Sequence, residues 1–152
     1  GKEQCTELVK YVRRSYPEVH VIARAHDRNH VYDLYAAGCR DIIRETFDSS
    51  VRMGRSAFSA LGMTEEEVRH AADGFVDDDR TAMIVMAGLY DPDIPTTENT
   101  DYINKVKEIT AIHEALTAEG PSGFGQLSQK MTEMGDDPAD IIKRFEEEAD
   151  AS

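Results

Sequence analysis

The chain has 152 residues, of which 40% are hydrophobic and 31% charged, and its 17 Lys/Arg against 30 Asp/Glu give a formal net charge of −13. With a mean hydropathy of −0.52 it reads as a single α/β domain with a thin core and a wet, largely helical surface. No run approaches the ~20 apolar residues a membrane-spanning helix needs, and no segment has the form of a signal peptide, so the chain as given is expected to be soluble.

The charge is uneven. Residues 1–62 hold 10 Lys/Arg and 8 Asp/Glu, a net of +2, whereas residues 63–152 hold 7 and 22, a net of −15. An acidic half of this kind repels phosphate backbones, so nucleic acid and anionic membrane surfaces are poor partners. A small anionic ligand belongs on the mildly basic half. Two cysteines, Cys5 and Cys39, are too few for a disulfide framework or a zinc site and suit a reducing compartment.

In chain order, Lys2–Tyr16 reads as a helix with Cys5, Leu8, Val9 and Val12 on one face and Lys10, Arg13 and Arg14 opposite, ended by Pro17. Val19, Val21, Ile22, Ala23 and Ala25 form a nearly continuous apolar run, the pattern of a parallel strand covered on both faces. Asp27 stands where a helix N-cap belongs. Val31, Leu34 and Tyr35 follow at helical spacing, and Gly38 takes the position just past the helix end. A second short strand, Asp41–Arg44, comes next. Strand, helix and strand in this order predict half of a doubly wound, Rossmann-like parallel sheet. Arg24 and Arg44 fall near the C-terminal ends of the two strands, the edge where open α/β sheets bind ligands, and two guanidinium forks there make a plausible anion clamp. The competing reading pairs each with a local acid, Arg24 with Asp27 or Arg44 with Glu45.

Thr46 or Asp48 is placed to cap a helix Phe47–Leu61, with Val51, Phe58 and Leu61 in one stripe, Gly54 suggesting a close helix or subunit contact, and Gly62 as its stop. Thr64 and Glu67 form a capping box that opens a long helix running to Tyr90, about 40 Å at 1.5 Å per residue. A helix of that length outruns the small α/β unit, and the succession Met83–Met86 predicts burial against a second copy. Asp77, Asp78 and Asp79 lack the glycine and glutamate spacing of a calcium loop and read as a solvated face. Asp91–Pro95 is a linker. Three more helices follow: Asn99 or Thr100 to Ala118, Phe124 to Met134, and Asp137 to Glu148 with Asp137 as N-cap and Pro138 at the first position. They either pack on the α/β unit or form a semi-independent acidic tail. The Gly120–Gly125 turn reads as a loop rather than a phosphate cradle. Of the five histidines only His26 and His30 have metal-pair spacing, without a third ligand, and no nucleophile elbow or glycine fingerprint GxGxxG occurs.

Ile22-Ala23-Arg24-Ala25 with Asp27, then Arg44-Glu45-Thr46-Phe47, then Gly54-Arg55 and Ala57 to Leu61 together resemble the cytosolic regulatory (RCK/KTN, TrkA-N-like) domain of Kef-type, glutathione-regulated potassium/proton antiporters, over about Leu8 to Met86. The resemblance implies that the chain begins midway through the Rossmann-like domain. It divides the chain into a partial Rossmann-like unit (1–62), a crossover dimerisation helix (63–91) and an acidic helical extension (92–152). It implies a ligand site at Arg44, Glu45, Thr46 and Asp79, with Arg44 holding the glutathione peptide, and a place for AMP or NAD in the complete domain near Arg24 and Asp27. Asp79 stands where the family carries an asparagine; a carboxylate only accepts hydrogen bonds and repels the acidic tripeptide, which puts glutathione itself in question. The partners it implies are a second copy through the 64–90 helix, a membrane antiporter domain N-terminal to this region and an ancillary quinone oxidoreductase, at the cytoplasmic side of a bacterial inner membrane. Half of a nicotinamide-dependent oxidoreductase, or an acidic helical interaction module, are the alternatives.

Overall fold

A computed structural model describes residues 1–151. They fold as two compact units, Gly1–Ser50 and the residues from Val51 on. In the first, α1 (Lys2–Ser15), β1 (Ile22–Ala25), α2 (Arg28–Ala36) and β2 (Asp41–Arg44) follow one another. The two strands pair in parallel, Ile22 opposite Asp41 and Ala25 opposite Arg44. The Asp27 side chain caps α2 by accepting from the His30 N–H at 2.9 Å. Gly38, at φ +92°, turns the chain out of the helix in the left-handed region that favours glycine.

Val9 from α1, Ala23 and Ala25 from β1, and Leu34, Ala37 and Cys39 from α2 and its exit form the core of this unit. Both helices lie against the face of β1 that carries the two alanines. The strand therefore alternates exposed and buried, with Ile22 61% exposed. The expectation of a strand covered on both faces is corrected: an unbroken apolar run fits either state, and here one face stays bare, Ile43 of β2 included. On α1 Thr6 and Val9 are buried and Cys5 packs against the core, as the stripe suggests, while Leu8 is 61% exposed.

Helix α3 (Phe47–Ala60) buries none of its residues. Of the expected apolar stripe Val51 and Phe58 are half-buried while Leu61, just beyond the helix, is 80% exposed, and nothing lies within 4 Å of where a Cβ on Gly54 would stand.

Helix α4 (Glu65–Ala87) opens with the capping box read from the sequence: Thr64 Oγ1 accepts from the Glu67 N–H, and Glu67 Oε2 accepts from the Thr64 N–H at 2.7 Å. These bonds hold the Glu67 carboxyl below its ordinary value. Its 23 residues span about 35 Å. Val68, Ala71, Ala72, Gly74, Asp78, Thr81, Val85 and Met86 recur at helical spacing on its buried side. Packed against it are α5 (Thr100–Thr117), a 3₁₀ turn (Pro121–Gly123), α6 (Leu127–Glu133) and α7 (Pro138–Asp150). In the apolar second half of α4, Val85 and Met86 are each 2% exposed within one chain and need no second copy to cover them, while Met83 and Ile84 are half-buried. The helices after the linker supply the cover that the small sheet is too short to give. The predicted helix Phe124–Met134 is shorter than expected, because Gly125 at φ +92° breaks the chain direction before Leu127. Among the described residues no helix is long and apolar enough to cross a membrane.

Candidate functional site

The C-terminal ends of the paired strands bring most of the sequence-predicted residues together. The Glu45 N–H donates to the Ala25 carbonyl at 3.1 Å, extending the ladder by one bond and setting Glu45 beside the end of β1. Its carboxylate then meets two groups of that strand's end: Oε1 lies 3.6 Å from an Arg24 guanidinium nitrogen and Oε2 lies 3.1 Å from His26 Nδ1. Arg44 stacks its guanidinium over the Phe47 ring at 3.6 Å, a cation–π contact that holds the side chain over the first residue of α3. Thr46 is exposed, and its carbonyl accepts from the hydroxyls of Ser49 at 3.0 Å and Ser50 at 2.7 Å.

Asp27 is the N-cap of α2, as expected. Besides capping α2 it pairs with Lys2 at the start of α1, and the Lys2 ammonium together with the His30 N–H holds its carboxyl below the usual aspartate value. Of the local pairings open to the arginines, Arg24 takes Glu45 rather than Asp27, and Arg44 stacks on Phe47. Asp79 is half-buried on α4 and belongs to the second unit.

The histidines fill out the edge. His30 is 1% exposed; its Nδ1 accepts from the His26 N–H at 3.2 Å, which leaves its proton on Nε2, and that nitrogen has no partner among the described residues. Burial, with the neighbouring His26, pushes the His30 imidazole below its ordinary pKa, so it stands neutral. The two rings stack, 5.6 Å between centroids and 9° apart. Parallel rings do not converge their nitrogens on one point, and among the described residues no group of three or more His, Cys, Asp or Glu is placed to hold a metal. The i, i+4 spacing announced this pair in the sequence; that it stacks rather than ligates depends on the hydrogen bond back to the strand.

This arrangement suits the recognition of an oxyanion. Arg24, Arg44 and His26 present donors at one edge, next to the N-terminus of the capped helix α2. For a dinucleotide it is incomplete: the turn from β1 to α2 is His26-Asp27, without a glycine at which backbone could approach a pyrophosphate, and the Asp27 carboxylate is already engaged.

A second constellation lay hidden in the aspartate run. Asp78 is 3% exposed rather than solvated. Oδ2 accepts from the Gly125 N–H at 2.9 Å and lies 3.2 Å from His113 Nε2, and Oδ1 accepts from the Leu127 N–H at 3.1 Å. It pins the glycine-containing turn to α4, where a Cβ on Gly74 would stand 2.7 Å from the Phe124 carbonyl carbon. No local pattern marks Asp78, since its partners are 35 to 49 residues away.

Comparison with known proteins places part of this chain. Residues 49–120 match the family described as the potassium efflux system KefB C-terminal domain. The glutathione-regulated potassium-efflux system protein KefC of Cronobacter sakazakii is 41% identical over 69 residues, 45% of this chain and 11% of the relative. The KefC proteins of Salmonella arizonae and Klebsiella pneumoniae are 41% and 39% identical over the same length and shares. The chain thus matches about a ninth of the length of these relatives. The family match includes Asp79, begins after Arg24, Asp27, Arg44, Glu45 and Thr46, and runs past the linker through α5.

Proposed function

We propose that this chain, which carries the Kef-type C-terminal domain over residues 49–120, is the ligand-sensing part of a potassium efflux antiporter. On this reading it acts on a membrane domain that precedes it in the whole protein. The observation that carries the proposal is the oxyanion-competent edge at Arg24, His26, Arg44 and Glu45, on a chain whose relatives are named glutathione-regulated potassium-efflux proteins. Sensing requires a ligand that binds two states unequally, and an edge where strand ends meet the first turn of α3 is a place where occupancy and helix position are linked.

Two ligand classes offer the needed charge: a peptide with carboxylates, such as glutathione or its thiol adducts, and a nucleotide phosphate, as in AMP or NAD. Arg44 would hold the anion, with Glu45 and Thr46 at the rim of the site. The assembly would be a homodimer. Since the inner side of α4 is covered in its own chain, the second copy would lie on the exposed flank of α4, at Phe75, and on α3 with Leu61. A quinone oxidoreductase subunit is a further partner suggested by the resemblance alone.

Titration of the chain with glutathione, a glutathione adduct, AMP and NAD, followed by calorimetry and by the amide resonances of Ala25, Glu45 and Thr46, tests the proposal. Saturable shifts confined to the strand edge with one of the four are expected. Silence with all four, in a protein extended at its N-terminus as well as in this chain, would end it.

A further inference from the structure

We propose that the Glu45 carboxylate is an internal competitor for the oxyanion ligand, occupying in the free protein the same groups the ligand must use. Its two oxygens are divided between Arg24 and His26, at 3.6 and 3.1 Å. A carboxylate bridging a guanidinium and an imidazole has the shape and charge of the incoming carboxylate or phosphate. Its backbone is tied to Ala25, so the residue cannot withdraw along the chain; only its side chain can swing out.

The site is open enough for exchange. The side chains of Glu45, His26 and Arg24 are 38%, 41% and 67% exposed, so water and ligand reach all three. An ion pair this exposed holds weakly, and an oxyanion with two well-placed contacts displaces it. Displacement moves the Glu45 side chain next to Thr46, whose carbonyl anchors the first turn of α3 through Ser49 and Ser50. Release of the internal carboxylate is then the event that tells α3 the ligand has arrived. This inference rests on the oxyanion site proposed above and names how that site is regulated.

The test compares the parent chain with Glu45→Gln, which keeps the shape and removes the charge. Inorganic phosphate and glutathione are titrated separately, with the amides of Ala25 and Thr46 as reporters. Glu45→Gln is expected to bind roughly two- to fivefold tighter, the range an exposed pair commands. A gain with phosphate alone assigns the edge to a nucleotide phosphate, a gain with glutathione alone to a peptide carboxylate, and either upholds the competitor role. Adding Arg24→Gln should abolish the gain, since no guanidinium is then released, which a merely structural role for Glu45 would not produce. If the parent binds and Glu45→Gln binds equally or more weakly, or loses its amide dispersion, the competitor role is overturned while the oxyanion site stands. If neither protein binds either probe, both ideas fall.

Discussion

Replacing Asp78 by alanine should loosen the second unit more than any other single change of a charged side chain. The substitution removes the acceptor of the Gly125 and Leu127 N–H groups, the second of them at a buried position, and the partner of His113. Each stranded donor costs about 1–3 kcal/mol, and relief of the carboxylate's own burial offsets part, leaving a net loss of about 2–4 kcal/mol. For a chain of this size that lowers the melting temperature by about 5–15 °C. Asp78→Asn, which keeps one acceptor but turns an NH₂ toward a backbone donor, should fall between. Urea unfolding followed by far-UV circular dichroism at neutral pH reads both variants. A Asp78→Ala protein within about 0.5 kcal/mol of the parent would refute the claim that this carboxylate fastens the turn to α4.

Further expectations concern packing, acid and assembly. Gly74→Ala drives a Cβ into the Phe124 backbone at 2.7 Å, a clash with main chain that should cost about 1–3 kcal/mol in the same assay. Gly54→Ala meets nothing within 4 Å and should add about 0.5–1 kcal/mol of helix stability, unless a second copy lies on that face, in which case self-association measured by sedimentation weakens. Leu61→Glu should shift the proposed dimer to monomer, and an unchanged sedimentation coefficient would remove α3 from the interface. Acidification should destabilise the first unit in two steps. His30 has a folded pKa below its unfolded one, so its contribution is complete above the ordinary histidine value of about 6.5 and is lost as pH falls beneath it. Asp27, also depressed, is lost only below the ordinary carboxylate value. His30→Gln should flatten the first step in urea midpoints taken from about pH 7.5 to about pH 5.

What the sequence disclosed was local chemistry. Asp27 as a cap, Gly38 and Gly62 as stops, and the Thr64–Glu67 box each depend on residues within a turn of one another, and all are found. The Arg44-Glu45-Thr46 block was likewise placed at a strand end, because the apolar pattern before it fixes where β2 stops. Long-range partners were not legible. Whether Arg24 meets Asp27 or Glu45 depends on the strand register, and the identity of what covers α4 depends on how the helices after the linker return. Asp78 looked like one of three solvated acids for the same reason: its burial is decided by Gly125 and Leu127, which no spacing rule connects to it.

The similarity to Kef C-terminal domains stops at residue 120, yet Asp78 inside that stretch is satisfied by two amides beyond it. A truncation at that boundary would discard the two amides that donate to Asp78, together with Met131 and Leu127, which are buried beside α4. The minimal autonomous piece of this half must therefore reach at least through α6, and a shorter fragment should be degraded readily by proteases even though it contains the whole stretch that matches the family.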